Sequence, residues 1–157
     1  SSFALSITTF ISQNMGAGEW ERARRGARFA LLTGAALSET LAMALRFAAP
    51  GLIGAFNGTP EVVHFGVMQA MISTPFYFLP ALTHCMAGIL RGLGKAVVPM
   101  AVMLLCWCII RVTYLEILMP RHHDIRLLYA VYPFTWTLST AALLWCFRKI
   151  RWDGSFR

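Results

Sequence analysis

The chain is 157 residues long, 57% of them hydrophobic and 13% charged, with a mean hydropathy of +0.60. A soluble globular domain usually carries about 25% charged residues, so this composition excludes an ordinary water-soluble domain. The formal net charge of +7 does not indicate nucleic-acid binding, because the basic residues adjoin apolar segments and line no polar face with interleaved aromatics. Membrane lipid with anionic headgroups is the expected partner.

The first predicted helix covers residues 1–15 and ends at Gly16-Ala17-Gly18, which is typical of a helix C-cap. The chain begins in what reads as the middle of this helix, with neither an initiating Met nor a signal peptide. We therefore expect the C-terminal part of a longer protein. A basic, amphipathic turn is predicted next, over residues 19–28.

The second predicted helix covers residues 28–56 and carries two formal charges, Glu39 and Arg46. A formal charge at the centre of a membrane helix costs about 2.5–3.5 kcal/mol on insertion scales, so each one needs a reason. Glu39, expected near the bilayer middle, is a candidate proton carrier or cation ligand; the alternative is a structural salt bridge. Seven residues separate the two charges, about 10 Å along the axis, so each should find its partner on another helix.

The third predicted helix covers residues 60–91 and includes 29 consecutive residues, 62–90, without Lys, Arg, Asp or Glu. Such a run indicates a membrane span. Pro75 and Pro80 interrupt it, and each removes a helical hydrogen bond and frees the carbonyl four residues earlier. Both prolines are hinge candidates, with plain packing kinks as the alternative. His84, further along, is a candidate for titration or a hydrogen-bonded core residue.

Two more helices and a basic tail complete the prediction, over residues 96–119, 125–148 and 149–157. Arg111 lies in the outer half of the first of these. We expect Arg111 and Arg46 to be structural, by snorkelling, pairing with Glu116 or bonding freed carbonyls, with a substrate contact as the less favoured role. All four cysteines lie in apolar runs and are interpreted as core residues. The sequence shows no hydrolytic triad, phosphate loop or metal cluster, so we expect neither an enzyme nor a metal or organic cofactor.

Lys and Arg concentrate in three stretches, residues 22–28, 91–95 and 148–157, which alternate with two poorer connections. Positive charge marks the cytoplasmic loops of membrane proteins. The pattern predicts a multi-pass protein of the cell (plasma or inner) membrane whose three basic stretches and C-terminus are cytoplasmic.

Four segments of the sequence resemble multidrug and toxic compound extrusion (MATE) transporters: ISQNMGAGEWERARRG, FNGTPEVV, GILRGLGKAVVPM and YPFTW. The resemblance extends over essentially the whole chain. The positions that match the family's motifs are Gln13, Gly16, Ala17, Arg91, Gly92, Gly94 and Pro99.

The resemblance implies an all-α integral membrane fold, the C-terminal part of a twelve-helix, two-lobe bundle. This chain would supply the end of helix eight and helices nine to twelve, with the N-terminal lobe of the same protein as its partner. It also implies alternating access, with Na⁺ or H⁺ as the coupling ion in antiport against a small organic, often cationic, drug or other xenobiotic.

One position departs from the family pattern. Some sodium-coupled members carry an acidic residue in the tenth helix where this chain has Pro80, so coupling would use Glu39 or lie in the N-terminal lobe. Two other functions stay open at this point. One is a lipid or oligosaccharide flippase of the same superfamily, for which Arg46 and Arg111 would contact diphosphate groups. The other is a non-transporting membrane subunit.

Overall fold

The computed structural model describes residues 2–56, 58–118, 120 and 125–150, and all regular structure in this part of the chain is helical. The predictions for residue 119, for the loop at 121–124 and for the tail from 151 onwards lie outside the described residues. The α-helices in chain order are α1 (Ser2–Gly16), α2 (Trp20–Phe56), α3 (Pro60–Ser73), α4 (Phe78–Gly92), α5 (Val97–Leu104), α6 (Ile110–Leu118) and α7 (Ile125–Arg148).

The first two helices join through a tight C-cap. Gly18 adopts φ +78°, and the Glu19 N–H donates to the Asn14 carbonyl at 2.8 Å, the six-to-one bond of a Schellman motif. The helix α2 begins at Trp20, eight residues before the predicted start, so the basic turn expected at 19–28 is helical. The segment is rich in Ala, Arg and Glu, which are good helix formers, and Glu21 complements the positive helix terminus.

The third predicted span is broken. A 3₁₀ turn, Thr74–Phe76, separates α3 from α4, and the two halves are bent by 51°. Pro75 lies inside the turn because it has no N–H to donate and its ring clashes with the preceding turn of an α-helix. Pro80 lies beyond the bend, in the first turn of α4, where a missing N–H leaves no helical bond unmade.

The fourth predicted span contains a π-helical segment, Leu105–Ile109, between α5 and α6. There the Ile110 N–H donates to the carbonyl of Leu105, five residues back. Within the part of the chain that the structure describes, three helical segments are long and apolar enough to cross a membrane: Trp20–Phe56, Val97–Leu118 and Ile125–Arg148. The bent pair formed by α3 and α4 is a fourth candidate.

The helix α4 lies at the centre of the bundle and packs against α1, α2 and α7. Its contact with α1 is close because Gly88 and Gly92, four residues apart, face that helix. A Cβ atom at Gly88 would lie 2.7 Å from the Ala4 carbonyl oxygen. The Thr8 hydroxyl shares its one proton between the Gly88 carbonyl at 3.0 Å and the Ala4 carbonyl at 2.9 Å. This is the small-residue packing that lets membrane helices approach without a hydrophobic driving force.

The described parts of the three basic stretches lie at one end of the bundle. Leu93, between Arg91 and Lys95, packs in the same buried cluster as Phe147 and Ile150 at the end of α7. Residues from the start of α2 and the end of α7 line one pocket at this end. We call it the basic end.

Candidate functional site

The break between α3 and α4 leaves backbone polar groups without helical partners. Pro75 cannot donate to the carbonyl of Met71, and the Thr74 carbonyl accepts from the Tyr77 N–H at 3.1 Å in the 3₁₀ turn. The Phe78 N–H, the first of α4, therefore needs an acceptor outside its own helix. Buried groups of this kind are costly in a membrane unless a neighbouring helix satisfies them.

The helix α2 supplies that acceptor. A carboxylate oxygen of Glu39, Oε2, accepts from the Phe78 N–H at 3.2 Å. The hydroxyl of Ser38 donates to the Tyr77 carbonyl at 3.1 Å. Glu39 is half-buried and is the twentieth of the 37 residues of α2, so the contact lies near the middle of that helix. A carboxylate at the start of α4 also faces the positive end of the helix dipole.

Arg46, two turns further along α2, contacts the α3 side of the break. Its Nη1 lies 3.5 Å from the carbonyl oxygen of Met71, the group that Pro75 leaves free. The distance is at the limit of a hydrogen bond, but the cation also faces the negative end of the α3 dipole. Glu39 and Arg46 do not pair with each other. They place opposite charges at the two helix ends that the break creates.

A cavity of about 430 Å³ lies beside the break, between α2 and α3. Ser73 lines it and is 5% exposed, and its hydroxyl has no hydrogen-bond partner among the described residues. Gln69, Tyr77 and Ser38 add polar groups to walls made by α2 leucines and alanines. Mostly apolar walls with a few polar groups are typical of small-molecule sites.

A chain of hydroxyl groups joins α4 to α7 on the other side of the break. The Trp107 indole N–H donates to Ser139 at 3.1 Å, and Thr83 lies 3.4 Å from Ser139 and 2.9 Å from Thr140. Thr140 in turn donates to the Leu79 carbonyl at 3.1 Å. The Ser139 hydroxyl donates its one proton to the Trp136 carbonyl at 3.0 Å. Because Thr140 donates to Leu79, the Thr83 hydroxyl donates to the nearer of its two neighbours, Thr140.

Arg111 joins the same side of the bundle. Its Nη2 donates to the Thr135 hydroxyl at 2.9 Å, and its guanidinium carbon lies 4.7 Å from the centre of the Tyr132 ring. Its Nε is buried without a partner among the described residues. Among the described residues, Arg111 thus contacts α7, and the pairing with Glu116 considered from the sequence is not one of its contacts.

The predicted site residues fall into two groups. Glu39, Arg46 and Pro75 meet at the break, whereas Arg111 and His84 lie towards α7 and the π-helical segment. His84 makes an edge-on contact with Trp107, with ring centres 5.4 Å apart. A comparable contact between Tyr77 and Trp136, at 5.4 Å, connects the break to α7.

The family-motif positions lie at helix ends and at a helix contact. Gln13, Gly16 and Ala17 form the end of α1, where the Ala17 N–H donates to the Gln13 carbonyl at 3.0 Å. Gly94, at φ +78°, lets the Lys95 N–H reach the Leu90 carbonyl at 2.8 Å after α4 ends. The other three positions are Gly92 at the α1 contact, Arg91 in the last turn of α4 and buried Pro99 in the first turn of α5.

Sequence reasoning missed the hydroxyl chain and the close helix contact. Gly88 and Gly92 form a Gly-x-x-x-Gly pattern, which could have predicted that α4 packs closely against a neighbour. Thr83 on α4 and Ser139 and Thr140 on α7 gave no such signal, because only the packing of those helices makes them neighbours.

The helices and their apolar length define an all-helical membrane protein, as the sequence predicted. The family model MatE matches residues 1–115. The chain therefore belongs to the MatE family, a family of membrane transporters, and the resemblance found in the sequence is confirmed over residues 1–115. No match was found among the curated proteins or among the solved structures.

Proposed function

We propose that this protein is a cation-coupled multidrug exporter of the cell membrane, in which Na⁺ or H⁺ entry drives an organic, often cationic, substrate outwards by alternating access. Membership of a transporter family supports transport as the function. The observation that carries the coupling role is the contact between the Glu39 carboxylate and the free Phe78 N–H at the helix break. The basic end of the bundle is then cytoplasmic, in line with the positive-inside rule.

Glu39 couples ion binding to helix geometry in this proposal. Hydrogen bonds to an ionised carboxylate are roughly twice as strong as neutral ones, so protonating Glu39 weakens its hold on the start of α4. A Na⁺ ion at the same carboxylate would compete with the N–H for the oxygen lone pairs. Either event loosens the contact between α2 and α4 at the bend over Pro75, where the two half-helices can change their angle.

The cavity beside the break is the proposed location for part of the substrate. Its 430 Å³ is within the range of small-molecule sites, and its one unpartnered buried hydroxyl, on Ser73 among the described residues, can bond a polar group of a ligand. Tyr77 lines the cavity and directly precedes α4, so movement of α4 would change the shape of the cavity.

The flippase alternative fits the site less well. A diphosphate group needs unengaged cations, and the two intramembrane arginines already have partners in the chain. Arg46 contacts the Met71 carbonyl, and Arg111 contacts Thr135 and Tyr132. We therefore place the drug exporter ahead of the flippase.

The test uses the native full-length protein in proteoliposomes, with a fluorescent organic cation and imposed proton or sodium gradients. We expect Glu39→Gln to abolish the dependence of export on the gradient. The matched control is Glu61→Gln, which removes an exposed acid in the first turn of α3. Export by the wild type without any gradient would refute ion coupling. An unchanged ion dependence in Glu39→Gln, at equal protein level, would assign Glu39 to structure alone.

A further inference from the structure

A second pocket, at the basic end of the bundle, is lined by three arginines from two helices. Arg24 and Arg28 come from α2, and Arg148 is the last residue of α7; the cavity volume is about 330 Å³. Arg24 and Arg28 are four residues apart and so share one face of α2. Within the described part of the chain, none of the three contacts a carboxylate or another polar partner. Three cations around one pocket repel each other unless an anion binds between them.

Neighbouring groups leave the pocket positive. Glu21, the nearest acid along α2, does not line it. The ammonium group of Lys149 makes a cation–π contact with Trp145, 3.6 Å from the centre of the ring. At the negative end of α7, the carbonyls of Cys146 and Phe147 accept from the N–H groups of Lys149 and Ile150, both at 3.1 Å. The helix terminus therefore presents little unpaired negative charge to the pocket.

The remaining walls are apolar, formed by Ala27, Phe147 and Ile150. One turn deeper along each helix lies an exposed leucine. Leu32, four residues after Arg28, is 74% exposed, and Leu144, four residues before Arg148, is 41% exposed. A ligand seated here meets cations at one end and apolar side chains below them. That pattern matches a phospholipid, whereas free phosphate would use the arginines alone.

We propose that this arginine pocket binds the headgroup phosphate of an anionic phospholipid, whose acyl chains lie over Leu32 and Leu144. Arginine suits the task because its planar fork of donors matches phosphate oxygens. The bound lipid joins the start of α2 to the end of α7, two helices that each pack against α4. The proposal does not depend on the transported substrate or on the role of Glu39.

The test compares two triple variants of the native full-length protein in detergent. The pocket variant is Arg24→Ala, Arg28→Ala, Arg148→Ala; the control is Arg22→Ala, Arg25→Ala, Lys149→Ala, which removes the same charge from the same helix ends outside the pocket. Native mass spectrometry counts the phosphatidylglycerol molecules retained. We expect about a tenfold loss of affinity in the pocket variant and less than about twofold in the control. Equal losses of phosphatidylglycerol affinity in the two variants would mean that diffuse surface charge holds the lipid, and would overturn the proposal.

A milder variant guards against misfolding. Arg148→Gln changes one exposed residue at the end of α7 and should lower phosphatidylglycerol retention about threefold, with Lys149→Gln unchanged. Phosphatidylglycerol retention equal to wild type in Arg148→Gln contradicts the proposed role of the arginine pocket.

Two further probes identify the source of the phosphate. Phosphatidylcholine should be retained less than phosphatidylglycerol, because its headgroup carries no net charge. Inorganic phosphate at millimolar concentration, followed by ³¹P NMR, should not displace phosphatidylglycerol. Equal retention of the two lipids would overturn the selectivity for an anionic headgroup. Displacement by inorganic phosphate that is lost in the pocket variant would assign the pocket to a free anion.

Discussion

The contact between α1 and α4 gives the sharpest structural prediction, through Gly88→Ala. The added Cβ atom would lie 2.7 Å from the carbonyl oxygen of Ala4 and 3.4 Å from the Thr8 hydroxyl. Real Cβ atoms essentially never come closer than 3.0 Å to another heavy atom, ordinary contacts begin at 3.4 Å, and a backbone oxygen has no rotamer to change. The two helices must therefore separate by at least 0.3 Å, and by about 0.7 Å to reach an ordinary contact.

That separation has two costs. A gap of about 0.5–1 Å forfeits roughly a quarter to a half of the dispersion energy of the atoms that face it, here including the buried side chains of Ile7, Ile11 and Ile89. The Thr8 hydrogen bond to the Gly88 carbonyl also lengthens, and bonds of this kind contribute about 0.6 kcal/mol in membrane proteins. Overpacking substitutions typically cost about 1–3 kcal/mol, so we expect a loss of about 2 kcal/mol.

The assay is thermal unfolding of the purified protein in detergent, followed by circular dichroism. A loss of about 2 kcal/mol should lower the midpoint by roughly 4–8 °C. The matched control is Gly54→Ala in α2, where an added Cβ atom meets nothing within 4 Å. We expect the control to be neutral or stabilised by about 0.5–1 kcal/mol, because Ala favours helix more than Gly does. Equal midpoints for the two variants would refute the close-packing argument.

Two further substitutions test the bend and the hydroxyl chain. Pro75→Ala gives the Met71 carbonyl an N–H partner and should straighten the bend. We expect dye export to slow about tenfold, which corresponds to roughly 1.4 kcal/mol on the barrier. The export rate of Pro80→Ala should stay within about twofold of the wild-type rate. Equal export rates for the two variants at equal expression contradict this. Thr83→Val interrupts the chain between α4 and α7 and should cost about 0.6–1.7 kcal/mol in thermal unfolding. The exposed Thr137→Val is its control, and matching midpoints would show that the chain does not stabilise the fold.

The membrane class of the protein was predictable because apolar run length and basic flanking residues are local properties of a sequence. The 29 uncharged residues over 62–90 indicated a span without any knowledge of its neighbours. The need of Glu39 and Arg46 for partners on another helix followed from helical spacing and the cost of intramembrane charge. The predicted start of α2, at residue 28, was eight residues too late, because Ala, Arg and Glu favour helix whether or not they lie in the membrane.

The position of the bend came only from the structure. Sequence placed two prolines in the third span and treated them alike. The fold separates them: Pro75 lies in the 3₁₀ turn, while Pro80 lies in the first turn of α4 and needs no N–H there. Proline removes a donor wherever it occurs, but whether a helix bends depends on which neighbours satisfy the freed groups.

By itself, the sequence determined the helical class, the family and the concentration of positive charge in three stretches. Tertiary structure alone decided that Glu39 meets the Phe78 N–H, that Thr83 meets Thr140, and that Arg24 and Arg148 share a pocket. Such pairs lie 39 to 124 residues apart, so no periodicity connects them. In lipid, helices have no strong hydrophobic drive to associate, so small-residue contacts and hydrogen bonds fix their relative positions. These interactions form only when the helices are already side by side.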